Sequence, residues 1–422
     1  MITVEKKGLH STLPWHFECN RDVTPTVQNL VLQLAGQKPA NPNAVGLLDS
    51  TGNGVRTSQQ IRLTVLVLIG CSAFAQGCPS SQGENAVKTQ FVEVQPDVKL
   101  EVLDWGGTGR NLVLLAGLGS TAHVFDSLAP KLAEHYHVIG ITRRGFGQSS
   151  APLTGYDPRR LGDDVVAVLD TLHIAEPVLV GHSIAGEELS AVSTYHPGRA
   201  AALVYLDAAG TFAFYNPKHG DYIPALAQLR DDLSALHDDL FNDGLISKTL
   251  TDMALFQANL AELRGEVEGA TGPSPQASDL ASISAYQSYM KGYYGGIIPE
   301  SEVRQMHRIG EDGKVGEFLG RGYVAQSIML GEERFHSIDT PLLAIFSYPS
   351  APYPSQTSDP AKLAAYRASG TSRIGAQMAV VREQPHAKVV AIPNGTHFIF
   401  LSNEEEVISQ ISDFVNSLPA KH

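Results

Sequence analysis

The sequence predicts an α/β fold with a mostly parallel central sheet, helices on both faces of the sheet and an inserted helical cap. From residue 86 onward, strand-like and helix-like stretches alternate, which is typical of parallel sheets with helical crossovers. Residues 111–116 and 177–181 are continuously apolar after Asn111, as strands covered on both faces must be. Residues 209–339 interrupt the alternation with helical patterns and no convincing strand.

The other elements follow from the same periodicities. Residues 91–94 and 98–103 alternate apolar and polar side chains, as half-exposed antiparallel strands do. Further buried strands are predicted at 137–142, 201–206, 341–346 and 387–392. Amphipathic patterns predict helices at 124–136, 158–172, 223–240, 248–264, 280–290 and 404–418.

These patterns divide the chain into six parts. Residues 1–60 contain scattered proline and glycine without periodicity, so we expect a disordered or mistranslated extension. The parts that follow it are a signal-peptide-like segment (61–75), a linker (76–88), the first part of the core (89–208), the cap (209–339) and the second part of the core (340–422).

The apolar run at residues 63–75 resembles a secretory signal. Two arginines precede it, and residues 73–75 (Ala-Phe-Ala) supply the small residues that precede a cleavage site. The run lies far from the first residue, which leaves two interpretations. Either translation starts near Val55, which we favour because residues 1–60 lack periodicity, or the run is a buried element of the folded protein.

The end of this segment has two candidate exits. Residues 68–71 (Leu-Ile-Gly-Cys) resemble a bacterial lipobox, in which Cys71 would be acylated after cleavage. Cleavage after Ala75 would instead release a soluble product. The sequence therefore predicts a secreted or periplasmic protein, with anchoring through Cys71 as the alternative.

Charge and cysteine content exclude several classes of protein. The 422-residue chain has 31 Lys plus Arg and 44 Asp plus Glu, for a net charge of −13. An acidic chain without a basic run is a poor nucleic-acid binder. Three cysteines are too few for a disulfide scaffold or a Cys-based zinc site. No apolar run reaches the ~20 residues that span a bilayer, so we expect no integral membrane span.

Residues 181–186 (Gly-His-Ser-Ile-Ala-Gly) lie between a predicted buried strand and a predicted helix. Small residues on both sides of Ser183 permit a sharp turn without Cβ clashes, and the helix N-terminus behind the turn favours negative charge. These features predict a nucleophilic serine. The alternative role for Ser183 is a helix N-cap.

Three further motifs accompany this turn. They are residues 115–119 (Leu-Ala-Gly-Leu-Gly), 143–149 (Arg-Arg-Gly-Phe-Gly-Gln-Ser) and 393–398 (Pro-Asn-Gly-Thr-His-Phe). In this order, the four motifs resemble the α/β-hydrolase superfamily, specifically its cap-bearing, esterase-like serine hydrolases. The resemblance covers about residues 89–417 and implies the α/β-hydrolase fold.

The resemblance also implies roles for individual residues. Ser183 would be the nucleophile and His397 its general base, because a serine hydroxyl needs a base near neutral pH. The backbone N–H groups of Leu118 and Ile184 would form the oxyanion hole. Ala116 stands where the family commonly has histidine, so we expect the oxyanion loop to be braced differently.

The acid of the triad has two candidates. Asp207 follows the strand predicted at 201–206, a place that some dehalogenases of this superfamily use. Asp359 lies in the loop after the strand at 341–346, which is the more usual place. An acid at either place can orient the histidine. We favour Asp207, whose alternative role is to cap the next turn.

The cap contributes candidate pocket residues. Tyr286, Tyr289 and Tyr293 lie close together and are candidates to line a substrate pocket. Their alternative role is to form the aromatic core of the cap. We expect His182 to pack beside the serine turn rather than to act in catalysis. The resemblance implies no cofactor and no metal, and it leaves the oligomeric state open.

These features predict a hydrolase that cleaves a carboxylic ester, or a related acyl bond, of a small and largely apolar substrate. A serine in the turn argues against epoxide hydrolase or dehalogenase action, which in this superfamily depends on an aspartate nucleophile. Two alternatives stay open. One is a proline-releasing aminopeptidase or a carbon–carbon bond hydrolase on the same triad, and the other is a non-catalytic ligand-binding protein.

Overall fold

The computed structural model describes residues 87–210, 213–215, 222–254, 257, 274–333, 335–351 and 360–419. Asp359, the predicted signal-like segment and both of its candidate exits fall outside these residues. The same is true of the extension at 1–60 and most of the linker. These expectations stay predictions.

Ten strands lie in the described part of the chain, and eight of them form one sheet. The strands are β1 (Lys88–Gln95), β2 (Val98–Gly106), β3 (Asn111–Leu115), β4 (His137–Ile141), β5 (Val178–His182), β6 (Ala202–Leu206), β7 (His307–Ile309), β8 (Val315–Phe318), β9 (Leu342–Ser347) and β10 (Ala387–Ile392). The sheet order is β1-β2-β4-β3-β5-β6-β9-β10. The pairs β1–β2 and β2–β4 are antiparallel and the other five are parallel, which confirms the predicted mostly parallel sheet.

The described part of the chain also contains ten named α-helices. They are α1 (Ala129–Leu132), α2 (Pro158–Thr171), α3 (Ala185–Tyr195), α4 (Tyr222–Asp238), α5 (Ile283–Tyr294), α6 (Glu300–Met306), α7 (Gly322–Leu330), α8 (Pro360–Arg382), α9 (Ile399–Ser402) and α10 (Glu404–Ser417). Of these, α2, α3 and α10 pack on the faces of the sheet. Residues 243–254 are also helical. Among the described residues, none of the helices has the length and apolar character needed to cross a membrane.

Strand β3 shows why the centre of the sheet is covered on both faces. Leu112 and Leu114 are buried in one apolar cluster together with side chains of α10. Val113 and Leu115 are buried in a second cluster together with side chains of α2 and α3. Successive side chains of a strand point to opposite faces, so a continuously apolar strand must be covered twice.

The helix predicted at 124–136 is wrong in its extent. The structure has a short 3₁₀ helix, Ala122–Phe125, followed by the single-turn helix α1. Pro130 lies in the first turn of α1, where its missing N–H is tolerated, but it cannot continue a helix from the preceding turn. Between the two pieces, the Asp126 carboxylate accepts a 2.9 Å hydrogen bond from Trp105 Nε1, which fixes the break.

The segment between β6 and β9, residues 209–339, is mostly helical where the structure describes it, but the expectation that it has no strand is wrong. Strands β7 and β8 form a short antiparallel hairpin. Gly313, with a φ of 79°, provides the left-handed residue of its turn, and Gly310 N–H donates to Lys314 O over 2.9 Å. Strands this short carry too few side chains to show a period of two.

Candidate active site

Ser183 occupies a strained turn between β5 and α3. Its φ of 55° lies in the left-handed region, which non-glycine residues seldom adopt. Ser183 N–H donates to Leu206 O over 3.3 Å, and Gly186 N–H donates to Ser183 O over 2.9 Å. A Cβ on Gly186 would lie 2.1 Å from Ala208 O. The small residues around the serine are therefore a steric requirement of the turn.

His397 connects the serine to an acid. Its Nε2 lies 2.8 Å from Ser183 Oγ, and its Nδ1 lies 2.8 Å from Asp207 Oδ2. An ionised carboxylate only accepts hydrogen bonds, so Nδ1 carries the ring proton and Nε2 accepts from the serine hydroxyl. In this tautomer, Nε2 can take the hydroxyl proton when the serine attacks.

Asp207 lies directly after β6 and has a φ of 47°. Its Oδ1 accepts the backbone N–H of Ser347 over 3.1 Å. Its own N–H donates to Ile345 O over 2.8 Å. Both contacts come from the neighbouring strand β9. The structure thus brings Asp207, the favoured candidate acid, to His397, whereas Asp359 lies outside the described residues.

The loop that carries His397 is held by the core and by the segment 209–339. Ser347 Oγ donates to Gly395 O over 2.5 Å. Thr396 Oγ1 donates to Tyr294 O, at the end of α5, over 2.8 Å. The sequence did not single out Ser347, although its place at the end of β9, just before the loop where the family usually has its acid, was a usable signal.

His182 contacts both the His397 loop and the oxyanion loop. Its Nε2 donates to His397 O over 2.9 Å, and the two imidazole rings are 4.8 Å apart. A Cβ on Gly117 would lie 2.8 Å from His182 Nδ1. Burial lowers the pKa of His182 well below its ordinary value, so the ring is neutral. His182 lies beside the serine turn, where the sequence analysis expected it.

A tight turn carries Leu118. Ser120 N–H donates to Gly117 O over 3.2 Å, and Gly119 has a φ of 84°. A Cβ on Gly117 would lie 3.1 Å from Ser183 Cβ, so this turn approaches the serine closely. Any larger residue at position 117 would push the two apart.

Leu118 and Ile184, the expected oxyanion-hole residues, belong to one apolar cluster. The buried members of this cluster are Phe146, Tyr156, Leu161, Ile184, Val324 and Ile328. Val324 and Ile328 come from α7, so the segment 209–339 contributes to the apolar surroundings of these two residues.

The three candidate pocket tyrosines have different surroundings. Tyr286 is buried in the larger core cluster, and its hydroxyl lies 2.9 Å from His307 Nε2. Tyr289 is half-buried against the same cluster. The ring of Tyr293 lies 5.8 Å from the ring of Phe398, the residue after His397. Of the three candidates, Tyr293 is thus the one that packs beside the loop that carries His397.

The histidines and carboxylates of the described part of the chain do not gather into a metal centre. No group of three or more His, Cys, Asp or Glu side chains among these residues is placed to hold a metal ion. His137, one of two histidines in the His-Tyr-His run at 135–137, has both ring nitrogens in hydrogen bonds, with Asn111 Oδ1 at 2.9 Å and Asp104 Oδ1 at 3.0 Å.

Several known proteins are similar to parts of this chain. It is 23% identical over 289 residues to Bifunctional epoxide hydrolase 2 of Rattus norvegicus, across 60% of this chain and 50% of that protein. It is 29% identical over 101 residues to 2-(acetamidomethylene)succinate hydrolase of Mesorhizobium japonicum, across 24% of this chain and 36% of that protein. The matches thus span half or less of these two relatives.

A solved structure and a family pattern extend the comparison. The crystal structure of E-2-(acetamidomethylene)succinate hydrolase aligns with a TM-score of 0.48 and 18% identity, over 78% of this chain and 100% of that one. Residues 112–410, which are most of the described chain, match the Alpha/beta hydrolase family. With the sheet order and the serine turn described above, this match shows that the chain belongs to the alpha/beta hydrolase family of enzymes.

Proposed function

We propose that this protein is a serine hydrolase that cleaves a carboxylic ester, or a related acyl bond, through an acyl-enzyme. The observation that carries the proposal is the unbroken pair of 2.8 Å hydrogen bonds from Ser183 through His397 to Asp207. A serine with a base and an orienting acid in this geometry is equipped for nucleophilic acyl transfer.

In the proposed mechanism, Ser183 Oγ attacks the substrate carbonyl while His397 Nε2 takes its proton. Asp207 accepts from Nδ1 and stabilises the imidazolium that forms. The N–H groups of Leu118 and Ile184 donate to the oxyanion, and each such donor contributes about 3 kcal/mol in comparable enzymes. His397 then protonates the leaving group, and water releases the acyl group by the same steps in reverse order.

The proposed substrate is small and largely apolar. Leu118 and Ile184 pack in a cluster of aromatic and aliphatic side chains. Arg143, a basic residue whose Nη2 donates to Ala116 O in the loop of Leu118, is buried and donates to Glu188 Oε1 over 2.8 Å, so its charge is balanced. These surroundings favour an apolar acyl or alcohol group over a charged one.

Fluorophosphonate labelling of the full chain tests the mechanism. The wild type should label rapidly at Ser183, and Ser183→Ala and His397→Ala should both abolish labelling while retaining the wild-type circular dichroism spectrum. Folded wild-type protein that does not label would overturn the proposal and favour a non-catalytic ligand-binding role.

Turnover of a homologous series of p-nitrophenyl esters tests the substrate class. Uncharged acyl chains should be cleaved with kcat/KM values well above that of a succinyl half-ester of similar size, because moving a carboxylate from water to apolar surroundings is costly. A preference for the charged ester would contradict the apolar assignment without affecting the serine mechanism.

A further inference from the structure

The turn that carries Leu118 is anchored at its beginning by the core. Arg143 Nη2 donates to Ala116 O over 2.7 Å. The same guanidinium is fixed by a two-point contact with the Glu188 carboxylate on α3, at 2.8 and 2.5 Å. Arg143 therefore anchors the start of the turn at Ala116, the position where the family commonly has histidine.

The end of the same turn is anchored by the segment 209–339. Glu302, in α6, is fully buried. Its Oε1 accepts the backbone N–H of Thr121 over 3.0 Å, and its Oε2 accepts the Thr121 hydroxyl. Thr121 follows directly after Ser120, whose N–H closes the Leu118 turn. The Glu302 carboxylate thus accepts both the N–H and the hydroxyl of Thr121, the residue that follows the turn.

A buried carboxyl group is costly, so its presence here needs a reason. Burial raises the pKa of Glu302 to about 7, while the bonds from Thr121 and the positive charge of His123 act in the opposite direction. His123 is itself held by Asp126 and Glu101, at 3.2 and 3.4 Å. A carboxylate provides two acceptor atoms on one rigid fork, which matches the backbone and hydroxyl donors of Thr121.

We propose that Glu302 is a positioning residue for the oxyanion hole, through which the segment 209–339 sets the orientation of the Leu118 N–H. This inference rests on the proposed function, since it assigns Leu118 to the oxyanion hole. Loss of the two Thr121 contacts would release one end of the turn while Arg143 still holds the other end.

The kinetic consequence is specific to the transition state. An oxyanion-hole donor interacts more strongly with the tetrahedral intermediate than with the bound ester. A displaced Leu118 N–H therefore lowers kcat and leaves KM nearly unchanged, whereas general damage to the substrate pocket would raise KM.

The test compares Glu302→Ala, Glu302→Gln and Glu300→Gln in the full chain with p-nitrophenyl acetate as substrate. Glu302→Ala should lower kcat about tenfold or more, with KM within about twofold of the wild-type value. Glu302→Gln keeps one carbonyl acceptor and should recover part of the lost kcat. Glu300, on the same helix, is 58% exposed and pairs only with Arg304 in the contacts observed, so Glu300→Gln should match the wild type.

A wild-type kcat in Glu302→Ala, or a loss of activity that appears in KM alone, would overturn the inference. If Glu302→Ala does not fold, Thr121→Val and Thr121→Ser replace it. The serine variant keeps the hydroxyl donor and should retain more of kcat than the valine variant, and equal values would overturn the inference. Fluorophosphonate labelling of the wild type separates the two proposals, because its absence removes the serine mechanism and not merely the role of Glu302.

Discussion

The Ser347 N–H donates to Asp207 Oδ1 over 3.1 Å, so the end of β9 contacts Asp207, the residue that directly follows the neighbouring strand β6. Ser347 is fully buried, and its hydroxyl also donates to Gly395 O over 2.5 Å. One residue therefore contacts both Asp207 and the loop that carries His397.

Replacing Ser347 with alanine should distinguish the contribution of its hydroxyl bond from that of its backbone bond. Ser347→Ala retains the backbone N–H to Asp207 but removes the hydroxyl bond to Gly395, so we expect kcat to fall several-fold with little change in KM. Steady-state ester hydrolysis measures the effect. The exposed Ser288, whose hydroxyl donates to Ser284 O in its own helix, offers a Ser288→Ala control that should behave as the wild type. An unchanged kcat in Ser347→Ala would show that the loop does not need this bond.

Substitution of the two candidate acids should decide between them. Asp207→Asn removes the charge that stabilises the His397 imidazolium and favours the wrong ring tautomer, so kcat should fall by about a thousandfold or more. Asp359→Asn should leave kcat unchanged. The comparison is made by ester turnover under identical conditions, and the opposite ranking would transfer the role to Asp359.

Glu187, one turn after Ser183 in α3, should make the free energy of unfolding depend on pH between 4.5 and about 8. Burial raises its pKa from 4.5 to about 8, although a bond from Glu333 N–H acts against the shift. Between these two pH values the unfolded chain has released a proton that the folded chain retains. The free energy of unfolding therefore falls as pH rises through this window.

Glu187→Gln should remove this pH dependence. The variant should be more stable than the wild type at pH ~9, by on the order of a few kcal/mol, and no more stable at pH ~5. Urea unfolding at both pH values measures the difference. Glu405→Gln, at an exposed position of α10, is the control and should shift stability little at either pH. A variant that gains nothing at high pH would contradict the assigned cause.

Gly295 allows α5 to end against the His397 loop. Its φ is 75°, and a Cβ there would lie 2.6 Å from both Ser402 Cβ and Thr396 Cγ2. Gly313 has a similar φ of 79°, but a Cβ at that position would meet open space. Alanine substitutions at Gly295 and Gly313 therefore distinguish the cost of backbone strain, which both share, from the cost of steric overlap, which arises only at Gly295.

Gly313→Ala should lower the free energy of unfolding by about 1 kcal/mol through the backbone alone. Gly295→Ala should lower it by about 1–3 kcal/mol more, because the added methyl group overlaps with Ser402 and Thr396. Urea unfolding of both variants gives the comparison. Equal losses of unfolding free energy in the two variants would show that the His397 loop moves away from the added methyl group without a measurable cost.

Much of the architecture was predictable from local pattern. The continuously apolar strands and amphipathic helices predicted the mostly parallel sheet, because a strand buried on both faces must be apolar throughout. The turn at Ser183 was equally visible, because its strained φ demands small neighbours. The helix at 124–136 failed because Pro130 and the Trp105 bond to Asp126 break an otherwise periodic stretch. The hairpin of β7 and β8 was too short to show a period.

The sequence by itself determined the fold class, the serine turn and the histidine loop, since each depends on residues that are neighbours in the chain. Only the tertiary structure brought Asp207 to His397, and Ser347 and Glu302 to the loops they contact. Glu302 and Thr121 are separated by 181 positions in the chain. Contacts of this kind arise where separate strands and helices meet, so they depend on residues that are far apart in the chain.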